Sequence, residues 1–147
     1  MTTDKSSILI IDDDANLRKT LADILAAKGY QTLTAKDGAE GLSLLQQHTV
    51  HLALVDLRLP DISGLEVLKM IRADHPHTEA IILTGNATLD SAIEATNKGA
   101  FSYLQKPYDI DQLMLHIKHA IEKQQAEDKI RLTSAVNSGH QSIHAAN

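Results

Sequence analysis

Short apolar segments alternate with amphipathic segments along about the first 125 residues. The apolar segments predict five strands, at residues 8–11, 30–34, 50–55, 80–83 and 101–104. Most of them are continuous apolar runs, which are typical of strands buried on both faces of a parallel sheet. The run at residues 30–34 is the weaker one.

Each predicted strand is followed by apolar residues at helical spacing, which predicts a helix. Asp14 stands where the first helix needs an N-cap, and Gly29 and Gly99 stand where the first and fourth helices should end. Asp109 and Gln112 have the spacing of a capping box at the start of the fifth helix. The predicted apolar stripes are, in chain order, Leu17, Leu21, Ile24 and Leu25; Leu42 and Leu45; Leu65, Leu68 and Ile71; Leu89, Ala92, Ile93 and Thr96; and Leu113, Ile117, Ala120 and Ile121.

Five β-α units in succession predict a single α/β domain. Because crossovers between parallel strands are right-handed, the units should form a doubly wound five-stranded parallel sheet with five helices. Ligands in such folds bind at the carboxyl ends of the strands. The helical pattern fades near residue 125, so we interpret residues 1–125 as the domain and residues 126–147 as a helix extension and flexible tail or linker.

The composition narrows the classes of partner. The net charge is -5 and no cluster of Lys and Arg is present, so we expect no direct nucleic-acid binding by this segment. There is no cysteine, which excludes disulfides and thiolate metal sites. The apolar runs are too short to span a membrane and the first residues are polar, so we expect a cytoplasmic protein without membrane contact.

Polar side chains lie at the ends of the predicted strands. Asp12 and Asp13 follow the first strand and Asp56 follows the third. Thr84 stands at the end of the fourth strand, and Lys106 stands at the end of the fifth. Clustered carboxylates repel one another, so such a group predicts a hard cation. Mg²⁺ fits best, because Ca²⁺ needs more protein oxygens and Zn²⁺ prefers His or Cys.

Four motifs lie at these positions in chain order: ILIIDDD at residues 8–14, VDLRLPDISG at 55–64, LTG at 83–85 and GAFSYLQKP at 99–107. As a set they resemble the receiver domains of two-component response regulators, which have a flavodoxin-like fold. Residues 83–107 most resemble the receivers of NtrC-like transcriptional regulators. The resemblance covers roughly the first 125 residues.

The resemblance implies a magnesium-dependent phosphorylation site. Asp56 would be the nucleophile that accepts a phosphoryl group. Asp13 and Asp56 would bind Mg²⁺ directly, the backbone carbonyl of Arg58 would add a ligand, and Asp12 would act through water or orient the metal. Metal and lysine together would neutralise the charge that phosphoryl transfer spreads over the equatorial oxygens.

The resemblance also assigns roles to residues on the last two strands. Lys106 and Thr84 would each contact a phosphoryl oxygen and so complete the catalytic set. Thr84 and Tyr103 would form the switch that remodels the face made by helix four, strand five and helix five. The Lys106–Pro107 peptide bond would be cis.

The implied partner is a sensor histidine kinase, and a homodimer is possible. The chain would not be a conventional enzyme, since it would catalyse only its own phosphorylation and autodephosphorylation. One alternative is a haloacid-dehalogenase-like phosphatase, but that class needs a second acid where Arg58 stands. Another is a pseudo-receiver, which the intact acidic residues, threonine and lysine disfavour. Arg58 and Asn86 occupy variable positions that bear on the lifetime of the phosphoryl group.

Overall fold

A computed structural model describes the backbone of residues 5–146 and the side chains of residues 5–132. Within this range five strands form one parallel sheet with the order β2-β1-β3-β4-β5. The elements are β1 (Ser7–Ile11), α1 (Ala15–Ala27), β2 (Gln31–Ala35), α2 (Gly38–Gln47), β3 (Leu52–Val55), α3 (Gly64–Asp74), β4 (Glu79–Thr84), α4 (Leu89–Asn97), β5 (Ser102–Gln105) and α5 (Ile110–Ala146). The predicted doubly wound α/β fold with five strands and five helices is confirmed.

The position of each strand in the sheet explains how apolar it is. β1, β3 and β4 lie inside the sheet and are buried along their whole length. β2 and β5 lie at its edges and are only partly buried. An edge strand needs fewer apolar side chains, which accounts for the weak signal at residues 30–34.

The core has two layers, one on each face of the sheet. Alternate residues of a strand point to opposite faces, so Ile8 and Ile10 pack with α1 and α5, whereas Leu9 and Ile11 pack with α2, α3 and α4. This burial on both faces is the reason that the strands read as continuous apolar runs.

Helix ends follow the predicted caps. The Asp14 carboxylate accepts hydrogen bonds from the first turn of α1, and the Asp109 carboxylate does the same at Asp111 and Gln112. Gly29 and Gly99 have φ values of 98° and 94°, a region that L side chains rarely adopt. The chain can therefore turn sharply into β2 and β5.

The apolar stripe predicted for α4 is wrong as a core face. Ala95 is the buried residue of this helix, whereas Leu89 is 76% exposed and Ile93 is 50% exposed. Apolar spacing alone does not distinguish a face that packs on the sheet from one that is exposed, and here the small Ala95 lies against the core.

Helix α5 is longer than the periodicity predicts, since its backbone is helical to Ala146. Its buried apolar residues Leu113, Ile117, Ala120 and Ile121 match the predicted stripe. The division of the chain near residue 125 stays a prediction, and the side chains after residue 132 lie outside the described ones. No helix in the described part of the chain has the length and apolar content needed to cross a membrane.

Candidate functional site

Three aspartates meet at the carboxyl edge of the sheet, which is the edge where the strands end. Asp12 directly follows β1 and Asp56 directly follows β3, and these two strands are neighbours. A carboxylate oxygen from each of Asp12, Asp13 and Asp56 lies within 4.8 Å of the others. Asp12 and Asp56 are only 3% and 8% exposed, whereas Asp13 is exposed.

Lys106 brings the single ammonium group of the site between two of these carboxylates. Its Nζ donates to Asp12 Oδ2 at 2.5 Å and to Asp56 Oδ2 at 3.1 Å. The backbone N–H of Lys106 donates to the Thr84 carbonyl at 2.8 Å, which extends the β4–β5 pairing to the edge. The following Lys106–Pro107 bond is cis.

Burial and charge shift the pKa values of Asp12 and Lys106. Burial raises the pKa of Asp12, and the hydrogen bond from Lys106 offsets that effect only in part. Burial by itself would lower the pKa of Lys106, but its hydrogen bond and charge interactions with Asp12 and Asp56 raise the pKa overall. The lysine is therefore held in its charged form beside carboxylates that it does not fully neutralise.

The donor set fits a hard divalent cation. Three carboxylates face one ammonium group, so the site has an excess of negative charge. All three offer oxygen atoms close enough to share one ion, and no His or Cys belongs to the group found among the described residues. Oxygen donors with negative charge are the ligands that Mg²⁺ prefers.

The loop between β3 and α3 shapes the Asp56 environment. The backbone N–H of Arg58 donates to Asp56 Oδ1 at 3.2 Å, while the Arg58 side chain is exposed. Gly64 lies so close that a Cβ added there would stand 2.1 Å from the Asp56 carbonyl oxygen. Only glycine can occupy that position without moving the strand end, which gives a physical reason for the Gly64 of the motif.

Thr84 and Tyr103 lie on β4 and β5, the two strands beside α4. Thr84 is fully buried, and its Oγ1 accepts a hydrogen bond from the Asn86 N–H at 3.1 Å. Tyr103 is half-buried, and its hydroxyl is hydrogen-bonded to Ser91 Oγ at 2.5 Å. Ser91 also completes the capping box of α4 with Thr88, so Tyr103 is tied directly to the start of that helix.

Two contacts of the site have no counterpart in the sequence prediction. The Arg18 guanidinium donates to the Asp12 carbonyl at 2.6 Å, and Ser91 contacts Tyr103 as described. The spacing of Arg18 on α1 is compatible with an ordinary exposed position. Ser91 could have been found from the capping-box pattern that it forms with Thr88, but its contact with Tyr103 depends on the tertiary fold.

Comparison with known proteins identifies the family. The model of the response regulator receiver domain family matches residues 8–118 of this chain. The chain belongs to this family. The sequence resemblance to receiver domains is thereby confirmed.

The similar proteins agree with this assignment. The DNA-binding transcriptional regulator NtrC of Escherichia coli is 38% identical over 124 residues, which cover 84% of this chain and 26% of the relative. The receiver domain protein of Methanospirillum hungatei is 33% identical with a TM-score of 0.81, covering 84% of this chain and 98% of that one. The beryllofluoride-activated NtrC4 receiver domain dimer is 30% identical with a TM-score of 0.77, covering 80% and 98%. The chain spans about a quarter of the length of the curated relatives it matches.

Proposed function

We propose that this receiver domain accepts a phosphoryl group on Asp56 from the phosphohistidine of a sensor histidine kinase. The observation that carries the proposal is the position of Lys106 Nζ, within 3.1 Å of Asp56 and 2.5 Å of Asp12 in an otherwise acidic cluster. A cation held there can bind a phosphoryl oxygen as it arrives, because the carboxylates keep the lysine charged.

The reaction is a phosphoryl transfer between two side chains. A carboxylate oxygen of Asp56 attacks phosphorus, the phosphorus–nitrogen bond to the kinase histidine breaks, and that histidine leaves with the electron pair and takes up a proton. The product is an acyl phosphate. Lys106 would bind one phosphoryl oxygen, and Thr84 would donate its hydroxyl hydrogen to another. The present bond from Asn86 uses only a lone pair of that hydroxyl, so the hydrogen can serve this role.

We propose that Mg²⁺ is held by Asp12, Asp13, Asp56 and the carbonyl of Arg58. When bound, the ion would neutralise negative charge between the carboxylates and the incoming phosphoryl group. Its ligands would be supplied by the ends of β1 and β3, so the site would need no further element of the fold. Under this proposal the chain catalyses only its own phosphorylation and autodephosphorylation.

The first prediction tests the nucleophile. Asp56→Asn should abolish the stable mass increase of one phosphoryl group that wild type shows with acetyl phosphate and Mg²⁺, because an amide is a poor nucleophile. Intact-protein mass spectrometry measures the adduct. Asp14→Asn is the matched control, since asparagine caps a helix as well as aspartate does and the nearby negative charge is still removed. An adduct that survives in Asp56→Asn would exclude this residue as the acceptor.

We further propose that phosphorylation changes the face formed by α4, β5 and α5. Movement of Thr84 toward a phosphoryl oxygen would leave space that Tyr103 can enter, and that motion would break the bond from Tyr103 to Ser91. Because Ser91 lies in the α4 capping box, the change would reach the start of α4 directly. A two-state element of this kind is what a local charge event requires in order to alter a distant surface.

The exposed apolar residues of this face support a homodimer as its output. Leu89, Ile93 and Leu115 are 76%, 50% and 51% exposed, on α4 and α5. A solved relative of this chain is a beryllofluoride-activated receiver dimer. We also propose that residues 126–147 form a helix extension and linker that could carry the change to a following domain.

The second prediction concerns this dimer. The Mg²⁺-beryllofluoride form should sediment with a larger molecular mass than the untreated protein at micromolar concentrations. Ile93→Asp should stay monomeric in both states, because a charge would be buried in the interface, yet it should still be phosphorylated by acetyl phosphate. Equal masses for both wild-type forms would remove the support for a phosphorylation-promoted dimer.

A further inference from the structure

Asp61 lies in the β3–α3 loop, and its carboxylate binds the N-terminus of α2. Its Oδ1 accepts from the backbone N–H of Gly38 at 2.9 Å, and its Oδ2 accepts from that of Ala39 at 2.8 Å. Oδ1 also accepts from the N–H of Ile62 at 2.8 Å. The first N–H groups of a helix have no partner within the helix, so a carboxylate from another part of the chain fills this need.

This contact is separate from the ordinary cap of α2. Asp37 is the N-cap residue, and its carboxylate accepts from the Glu40 N–H at 2.8 Å. Asp61 instead joins the helix to a loop that follows the next strand. The two segments approach closely, since a Cβ added to Gly38 would stand 2.5 Å from a side-chain carbon of Ile62.

The loop that Asp61 attaches to α2 also forms one wall of the acidic site. Arg58 donates its N–H to Asp56 Oδ1 and pairs with Ser63 in an isolated β-bridge. The N–H of Gly64 donates to the Leu57 carbonyl at 2.8 Å, which closes the loop at its base. These contacts tie the tip of the loop to its start, where Asp56 and Arg58 lie.

We propose that Asp61 is a positioning residue of the phosphorylation site. By holding the β3–α3 loop against α2, it fixes the orientation of the Asp56 side chain and of the Arg58 carbonyl toward the metal. The inference rests on the proposed function, because it assigns Asp61 its role through the groups that would bind Mg²⁺. Partners that orient metal ligands typically change metal affinity by about 10–100-fold when they are removed.

Titration calorimetry with magnesium chloride tests the inference in four proteins: wild type, Asp61→Ala, Asp61→Asn and Asp37→Ala. Asp61→Ala should raise the Kd for Mg²⁺ by about tenfold. Asp61→Asn keeps one acceptor oxygen, so its Kd should fall between those of wild type and Asp61→Ala. It also carries the test if the alanine variant does not fold. Asp37→Ala removes a half-buried carboxylate from the same helix end without removing a contact of the loop, so it should leave the Kd unchanged.

The outcomes separate this inference from the proposed function. Wild-type affinity in both Asp61 variants would overturn the positioning role and leave the proposed phosphorylation site intact. An equal loss of affinity in Asp37→Ala and Asp61→Ala would also overturn it, because general loosening of α2 would then be the cause. Absence of Mg²⁺ binding by wild type would overturn both proposals.

Discussion

Two clusters of charged side chains, each built around a buried carboxylate, lie at opposite edges of the sheet, and they differ in charge balance. At the carboxyl edge, among the described residues, Lys106 forms the ion pairs of the three-aspartate cluster, one with Asp12 and one with Asp56. At the amino edge, where the strands begin, Glu79 and Glu127 face Arg72 and Lys123. Lys123 Nζ lies 3.0 Å from Glu79 and 3.2 Å from Glu127, and Arg72 Nη1 lies 3.9 Å from Glu79.

The difference distinguishes a cluster whose carboxylates are each ion-paired from one that keeps an excess of negative charge. At the amino edge each of the two carboxylates has a cation within 4 Å, and the cluster joins α3, β4 and α5. At the carboxyl edge one lysine is ion-paired within a cluster of three carboxylates, while the Arg18 guanidinium binds the Asp12 carbonyl, so the carboxylates keep negative charge that a metal can neutralise. Burial of carboxylates is common to both edges, because Glu79 and Asp12 both have raised pKa values for which burial is the largest cause. Charge balance therefore distinguishes the two edges better than burial does.

The largest change in the free energy of unfolding is expected from a substitution in the amino-edge cluster. Glu79→Gln should lower the free energy of unfolding by about 2–3 kcal/mol, since it leaves Arg72 and Lys123 short of a buried carboxylate. Urea unfolding measures this change. Glu94→Gln is the control, because it breaks the pair of the exposed Glu94 with Lys98 at 3.7 Å and should cost less than about 1 kcal/mol. Equal stability of the two variants would mean that the amino-edge cluster is not structural.

The next prediction concerns Asp13→Ala, which removes one carboxylate from the acidic cluster. This change should not lower the free energy of unfolding, in contrast to Glu79→Gln. Without Mg²⁺, Asp13→Ala should be at least as stable as wild type, since it relieves repulsion. With Mg²⁺ at ten times its Kd, wild type should gain about 1.4 kcal/mol that Asp13→Ala does not. Asp14→Ala should lose about 1 kcal/mol in both conditions, because it removes the α1 cap, yet keep the gain from Mg²⁺. Thermal unfolding with and without Mg²⁺ measures the stability of each variant and its gain from the metal. An equal gain in Asp13→Ala and wild type would contradict the proposal that Asp13 binds Mg²⁺ whereas Asp14 caps the helix.

The fold and the carboxyl edge could be predicted from sequence because their signals are local. Asp12 and Asp56 each directly follow an apolar run, and parallel strands bring such positions to one edge. Lys106 and Thr84 lie at the ends of two further runs, so the same rule places them there. No distance had to be known for this prediction.

The amino edge could not be predicted in this way, because its partners come from distant segments. Glu79 is the first residue of β4 and looks like the polar boundary of a strand, whereas Lys123 lies 44 positions further along the chain. The contact of Asp61 with Gly38 spans 23 positions and follows no periodicity. The exposure of Leu89 and Ile93 could not be predicted either, because helical spacing does not show which face of a helix packs on the sheet.

The smallest predicted effect also lies at the amino edge, where a histidine must stay neutral. The N–H of Ser7 donates to His51 Nδ1 at 2.9 Å, and a protonated imidazole has no lone pair to accept this bond. Burial lowers the pKa of His51 below its usual 6.5, and the nearby His77 lowers it further. Below about pH 6.5 the His51 imidazole is therefore protonated in the unfolded chain while it stays neutral in the folded protein. The stability linked to His51 is fully present above that pH and is lost as the pH falls through the window between the two values.

His51→Asn tests this linkage because asparagine offers an acceptor oxygen that does not titrate. Between about pH 7.5 and pH 5.5 wild type should lose more stability than this variant, as measured by urea unfolding at each pH. His119→Asn, on an exposed position of α5, is the control and should follow the wild-type curve. The change should appear without any Mg²⁺ dependence, since His51 lies at the edge of the sheet away from the acidic site. Parallel curves for wild type and His51→Asn would show that the Ser7 contact does not depend on a neutral imidazole, and the predicted linkage to His51 would then be wrong.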